Sequence, residues 1–158
     1  MAYTVREACD SDWPAILAAA DAALPDERAM NRQWLAARQG FPAGLRSRSH
    51  YVVESDDRRV VGYGAVEAQE QAGRFRAFVV MAPQLLDAGP GDLIFDRLLV
   101  ELRSLDAQLI WTRELAYDQP LQRFFRRRGL IEAQRYRSPG GIDIVVMEMP
   151  VSASIRTS

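Results

Sequence analysis

The sequence predicts a mixed α/β (α+β) domain: a central, twisted, mixed sheet of about seven strands with helices on both faces, ordered β-α-α-β-β-β-α-β-α-β-β. Three observations predict it. Between residues 50 and 81 the apolar residues alternate in three runs broken by turn residues, which reads as a meander. A glycine loop, Asp87-Ala88-Gly89-Pro90-Gly91-Asp92, joins the third run to an amphipathic helix. A short apolar run, a capped helix and a closing hairpin come after it. A meander feeding helix, strand and helix argues for a mixed sheet with helices on both faces.

At 158 residues the chain is long enough for one domain with a real core, read as residues 1–150 followed by a disordered tail, 151–158. Hydrophobic residues at 48% and charged residues at 26% are ordinary for a soluble globular protein. The net charge of −1 carries no nucleic-acid footprint. Every basic residue is arginine, which fits a GC-rich coding bias. With Cys9 as the one cysteine there is no intrachain disulfide, as expected in a reducing compartment. There is no basic-then-apolar leader and no apolar run near the ~18 residues a span needs. The expected location is therefore cytoplasmic, with no membrane partner.

Taken in order, 3–8 is a short strand. Asp10-Ser11-Asp12 then caps a helix that tolerates Pro14 in its first turn and buries Trp13, Ile16, Leu17, Ala20 and Leu24. Cys9, beside that cap, reads as a small packed residue. Pro25-Asp26-Glu27 opens a second helix to about Arg38, with Met30, Trp34 and Leu35 inward, and 39–49 is a loop. Strands at 50–54 and 59–67 flank the turn Ser55-Asp56-Asp57. On the strand 74–81, Phe75, Ala77, Val79 and Met81 share one face; Arg74, Arg76, Phe78 and Val80 share the other. The helix over 93–105 buries Phe95, Leu98, Leu99, Leu102 and Leu105, and 108–112 is a buried strand. Asp118 caps a helix with Pro120 in its first turn and Leu121, Phe124 and Phe125 inward; Gly129 ends it. Strands 131–137 and 142–149 close on Ser138-Pro139-Gly140-Gly141.

A strand, a glycine turn and a helix N-terminus make an anion pocket, because loop amides and about half a positive charge of helix dipole converge there. An ordinary strand-to-helix turn has the same outline. The loop lacks Gly-Lys-Ser/Thr, so it is no ATP-binding P-loop. Arg123, Arg126, Arg127 and Arg128 form the one basic cluster, either complementing the negative end of their helix or meeting a phosphate or acidic substrate. His50 is the only histidine and reads as structural; no spaced ligand cluster exists, so no metal is expected.

From Tyr3 to Met149 this order resembles the GNAT superfamily of acyl-CoA-dependent N-acetyltransferases. Their loop pattern Arg/Gln-x-x-Gly-x-Gly/Ala, which holds the coenzyme A pyrophosphate, falls on Leu86-Asp87-Ala88-Gly89-Pro90-Gly91, with Asp92 following. Pro83 stands where many members carry a proline. Phe124-Phe125-Arg126-Arg127-Arg128-Gly129-Leu130 is similar to the family's Phe-Tyr-x-x-x-Gly-Phe segment. The resemblance implies acetyl-CoA or another acyl-CoA as cosubstrate. It maps the pantetheine contacts to Val79, Val80 and Met81, and the other coenzyme contacts to Leu86, Asp87, Ala88, Gly89, Gly91, Asp92, Asp118 and Phe125.

The chain departs from the pattern at several of these positions. Leu86 replaces Arg or Gln, Asp87 replaces a frequent glycine, and Pro90 removes one N–H. A carboxylate ~4–6 Å from a pyrophosphate would cost about 3–4 kcal/mol at an effective dielectric near 20, before solvent screening. Asp118 replaces an asparagine. Phe125 replaces the tyrosine that protonates the leaving thiolate.

Attack by an amine also needs a base, because an amine is mostly ammonium at neutral pH. Glu114, just past the strand 108–112, is the candidate; as a loop acid it would simply be solvated. Glu67 and Glu70 are weaker candidates, and Tyr117 is a candidate replacement acid. Trp34, Phe41 and Tyr136 are candidate acceptor-lining residues. The expected function is acyl transfer from acyl-CoA to an amine of a small molecule or peptide, by an enzyme that families of this kind often build as a homodimer. The alternative is a catalytically degenerate domain of the same fold, sensing acyl-CoA or another ligand or binding a protein.

Overall fold

The structure, a computed structural model, describes residues 2–23 and 49–151. The predicted helix at 25–38, the loop through Phe41, Leu24 and the tail from residue 152 lie outside the described residues.

β1 (Tyr3–Glu7) leads through a 3-10 turn (Asp10–Asp12) into α1 (Trp13–Ala23). Asp12 organises this corner. Its carboxylate accepts the Cys9 N–H at 2.8 Å and takes both Arg6 Nη atoms, at 2.9 and 2.8 Å. The Arg6 hydrogen bonds hold Asp12 down at about 2 against the opposing effect of burial. Cys9 itself, expected to pack, is exposed, because it stands at a surface corner where both its N–H and its thiol reach the Asp12 carboxylate, at 2.8 and 3.4 Å.

β2 (Ser49–Ser55), β3 (Val60–Ala68) and β4 (Arg74–Met81) form the antiparallel meander that the alternation predicts. After β4 a single helical turn, α2 (Pro83–Leu86), precedes α3 (Pro90–Ser104). Sequence reasoning did not resolve α2, and it started α3 three residues late because Pro90 and Gly91 read as loop. Proline is well suited to a first helical position, where its missing N–H has no carbonyl to meet. Ile94, not Leu105, completes the buried stripe of α3. Leu105 is 47% exposed because the helix has already ended there, in a Schellman turn. Ala107 N–H reaches Leu102 O at 3.0 Å, and Asp106 adopts φ 54°. Glycine tolerates that conformation without a Cβ penalty, so Asp106→Gly should raise stability by about 0.5–1 kcal/mol, read as a shift in denaturant midpoint.

β5 (Leu109–Leu115), α4 (Gln119–Arg127), β6 (Ile131–Arg137) and β7 (Asp143–Pro150) complete the chain. Gly129, at φ 105°, ends α4 as expected: Leu130 N–H meets Phe125 O at 2.9 Å and Gly129 N–H meets Arg126 O at 3.0 Å. The mixed seven-stranded sheet runs β1-β2-β3-β4-β5-β7-β6. One face packs on α3 and α4 through Val79, Phe95, Leu98, Ile110, Phe124 and Phe125. The other packs on α1 through Ile16, Ala20, Tyr63, Phe78 and Val80. The two-sided division predicted for the residues of β4 is therefore observed.

The central strand pair sets where the sheet opens. β4 and β5 are parallel but pair only at Arg74↔Leu109, Phe75↔Ile110 and Arg76↔Trp111. Beyond that, β4 stays on β3 as far as Met81↔Gly62, and β5 stays on β7 as far as Leu115↔Ile144. Each strand keeps to its outer partner, and no ladder joins Ala77–Met81 to Thr112–Leu115.

Candidate functional site

The parted strands open toward the loop at the start of α3. Leu86 turns its side chain into the core, 2% exposed, and leaves its carbonyl outside, where Arg127 Nη2 donates to it at 3.2 Å. Gly89, at φ 114°, caps α3, and its carbonyl accepts the Leu93 N–H at 3.0 Å. Pro90 has no N–H, so Gly91 and Asp92 supply the first-turn donors for which a helix has no internal acceptor. The dipole of this 15-residue helix adds its positive end at the same place. Gly91 is required by packing: a Cβ there would sit 2.7 Å from Leu86 O and 2.9 Å from Leu86 Cα.

The acids of the loop are answered by α4. Arg127 Nη1 bonds Asp92 at 3.2 Å, and its Nη2 lies 3.6 Å from Asp87. Arg128 bonds Asp92 at 2.9 Å and also binds Asp96. Burial pushes the Asp92 carboxyl up, but the hydrogen bonds from Arg128 and Arg127 outweigh it and hold it below the usual carboxylate range. Asp87 is largely exposed and next to a guanidinium, so water and Arg127 screen the charge that the sequence placed against a phosphate. The basic cluster thus divides. Arg127 and Arg128 reach the glycine loop, Arg126 pairs with Glu132 at 3.7 Å, and Arg123 is exposed.

Across the gap, Glu114 lies within β5 rather than past it, because β5 runs on to Leu115. It is 6% exposed, so it is no solvated loop acid. By strand alternation it shares the α3/α4 face with Ile110 and with Thr112, whose buried hydroxyl has no hydrogen-bond partner among the described residues. Asp118 caps α4 as expected, accepting Leu121 N–H at 3.3 Å. Burial pushes its carboxyl up to about 6, with that single N–H pulling the other way. Gln122 is buried and bolts the end of β5 to α4, its Nε2 donating to Leu115 O at 3.1 Å and Ala116 O at 2.7 Å.

Phe125 is fully buried, with ring centroids 5.5 Å from Phe124 and 6.2 Å from Phe95. Val79, Val80 and Met81 are buried on the end of β4 that pairs with β3 but not with β5, so their contribution to a ligand would be main chain. Ala88 is exposed beside Asp87. Glu67 and Glu70 sit at the other end of β4, where Glu67 stands opposite Arg76 in the ladder and the strands are closed. Tyr117 is 47% exposed and, with Ala116, Gln119, Gly141, Ile142 and Asp143, lines a cavity of about 450 Å³ at the end of β5. Tyr136 lies on β6 under the Arg113 guanidinium.

Sequence reasoning missed Gln122, Thr112 and Arg113. Gln122 had a signal, a polar residue on the stripe formed with Asp118, Leu121 and Phe125. The other two had none, since their importance comes from where β4 and β5 part. Among the described residues no group of His, Cys, Asp and Glu could hold a metal ion, and no helix is long and apolar enough to cross a membrane.

No protein-family model and no curated protein matches the chain. Solved structures do. A Desulfovibrio desulfuricans protein assigned to the acetyltransferases of the GNAT family superposes with a TM-score of 0.74 at 15% identity, covering 96% of this chain and 100% of that one. The ribosomal-protein-S18-alanine N-acetyltransferase of Escherichia coli gives 0.69 at 17%, covering 96% and 95%. A Salmonella typhimurium protein, assigned as an acetyltransferase and solved with its cofactor acetyl-CoA, gives 0.69 at 19%, covering 97% and 96%. Identities this low speak to architecture alone, and in architecture the chain has the GNAT acetyltransferase fold.

Proposed function

We propose that this chain holds an acyl-CoA thioester between β4 and β5 and transfers its acyl group to an amine. The observation that carries this reading is the loss of pairing beyond Arg76 and Trp111, in line with the donor-rich start of α3. The residues fit a diphosphate there. Gly91 keeps the turn tight, the Gly91 and Asp92 N–H groups lie at a positive helix end, and Arg127 stands over the loop. Arg127 takes the place of the basic or amide side chain that Leu86 lacks.

The cosubstrate supplies a reactive thioester and a thiolate leaving group. Main-chain N–H groups of Val79 to Met81, free of β5, polarise the acyl carbonyl. Glu114, directly or through a water, takes the proton from the acceptor nitrogen as that nitrogen attacks the carbonyl carbon and the C–S bond breaks. An ordinary thiol ionises near ~8.5, so the departing sulfur needs no strong acid and regains its proton from solvent. This is how turnover survives Phe125 in the tyrosine position.

At a hundred times its Kd, acetyl-CoA should stabilise the protein by about 2.7 kcal/mol, roughly 5–10 °C in Tm. Glu114→Gln should keep that shift and lose about 100-fold or more in thiol release over an amine panel. No shift at millimolar acetyl-CoA would end the proposal.

One observation favours a second reading, a ligand-sensing domain of the same fold. Phe125 is wholly enclosed by Phe95 and Phe124, so no hydroxyl reaches the gap from that position. A full thermal shift with no thiol release from any amine would select this reading. An amine-dependent release rate would reject it.

A further inference from the structure

Arg113 is a half-buried guanidinium without an acid among the described residues, and we propose that it docks a carboxylate carried by the amine acceptor. The inference rests on the acyl-transfer reading and specifies its acceptor. Three other half-buried arginines are answered by acids. Arg6 holds Asp12 and Glu54, Arg128 holds Asp92 and Asp96, and Arg74 lies 4.0 Å from Glu148. Arg113 instead lies over the Tyr136 ring at 5.6 Å, and its Nε is buried with no hydrogen-bond partner among the described residues. Its neighbour across the ladder is Val146 on β7, whose own partner on β6 is Gln134, so neither β7 nor β6 offers a carboxylate at that register position. Leaving such a donor unmet is unfavourable, and a planar oxyanion is the group whose geometry matches the guanidinium fork.

Its position connects this anion site to the reaction. Trp111 is the last residue of β5 that pairs with β4, and Arg113 lies two residues further along, on the same face by alternation. That face is opposite the one carrying Glu114 and α3. Arg76 adds positive charge beside it on β4, its guanidinium 4.5 Å from the Phe78 ring and 5.4 Å from that of Trp111. A carboxylate held by Arg113 leaves an amine of the same molecule facing the gap, one residue along β5 from Glu114. The acceptor class is therefore an amine that also bears a carboxylate, such as an amino acid, rather than a polyamine or an aminoglycoside-like cation.

Matched acceptors test this: amino acids against their carboxamides, in wild type and in R113Q, by thiol release from acetyl-CoA. Wild type should prefer the carboxylates at least tenfold in kcat/KM, and that ratio should collapse in R113Q and be partly restored in R113K. Taking the ratio between proteins cancels the different basicities of the amines. Equal rates for both members of a pair, or a preference that persists in R113Q, would overturn the proposal.

A readout independent of turnover is the 15N resonance of Arg113 Nε during titration with N-acetyl amino acids and their carboxamides. It should move with the acids and not with the amides; indifference to both would sink the anion site. The acetyl-CoA thermal shift, measured alongside in both proteins, reports separately on the acyl-CoA reading and on whether R113Q is folded.

Discussion

Gly91→Val should lower stability by about 3 kcal/mol and remove the thermal protection given by acetyl-CoA. The added Cβ would stand 2.7 Å from Leu86 O, 2.9 Å from Leu86 Cα and 3.0 Å from Phe124 Cε1. Two of those atoms are backbone and the third belongs to a ring packed in the core, so none can yield as the tip of a flexible side chain does. Overpacking a tight site typically costs about 1–3 kcal/mol, and here relief would push α2 away from α3 and deform the turn that presents the Gly91 and Asp92 amides. Gly89→Ala is the control. Its Cβ meets nothing within 4 Å, so its cost is only that of a left-handed φ, about 1–2 kcal/mol. Denaturant midpoints for both variants, with and without acetyl-CoA, separate the effects. A Gly91→Val protein as stable as wild type would show that the turn is not closed by this contact.

The second large effect depends on pH. Burial pushes Asp118 up to about 6 in the folded protein, whereas an unfolded aspartate titrates near ~3.9. The folded state therefore holds that proton more tightly. Below about pH 4 the group is protonated in both states and costs nothing. Stability then falls as pH rises toward 6, and above 6 the full penalty stands, at most ~3 kcal/mol. The positive end of α4 favours the carboxylate and reduces this to about 1–2 kcal/mol.

Asparagine carries no charge and keeps an oxygen for the Leu121 N–H. Asp118→Asn should accordingly gain about 1–2 kcal/mol at pH 7.5 and nothing at pH 4, by urea unfolding at the two pH values. Equal gains at both would refute the electrostatic cause. Asp12 has the opposite sign. Held down at about 2 by Arg6, it contributes stability above pH 4 that is lost as pH falls through 2, so the two acids tilt the pH profile in opposite directions.

The local signals were strong wherever a residue acts through its own conformation or its own strip of surface. Strand alternation at Phe75–Met81, the Asp118 cap with Pro120 behind it, and the Gly129 stop were all legible, because caps, turns and periodicity involve neighbours in sequence. The misplacements had equally local causes. Pro90 and Gly91 resemble a loop in composition but begin a helix, and Leu105 continues the helical spacing one turn after the helix has ended. Glu114 was a candidate from sequence, but its burial was not readable, because the apolar run of β5 breaks at Arg113 while its pairing with β7 continues.

The amino-acid sequence by itself determined the order of the seven strands and of the three longer helices among the described residues, the two-faced β4, the glycine turn at the head of α3 and the absence of a hydroxyl at Phe125, all of which come from residue type and short-range spacing. Only the tertiary structure decided where β4 and β5 part, that Arg127 and Arg128 reach across from α4 to the acids of the loop, and that Arg113 has no carboxylate among the described residues. Those depend on which strand each strand prefers as a partner and on charges 35 or more residues apart in the chain being brought within hydrogen-bonding distance. That information lies in the packing of the whole sheet and in no single stretch of the chain.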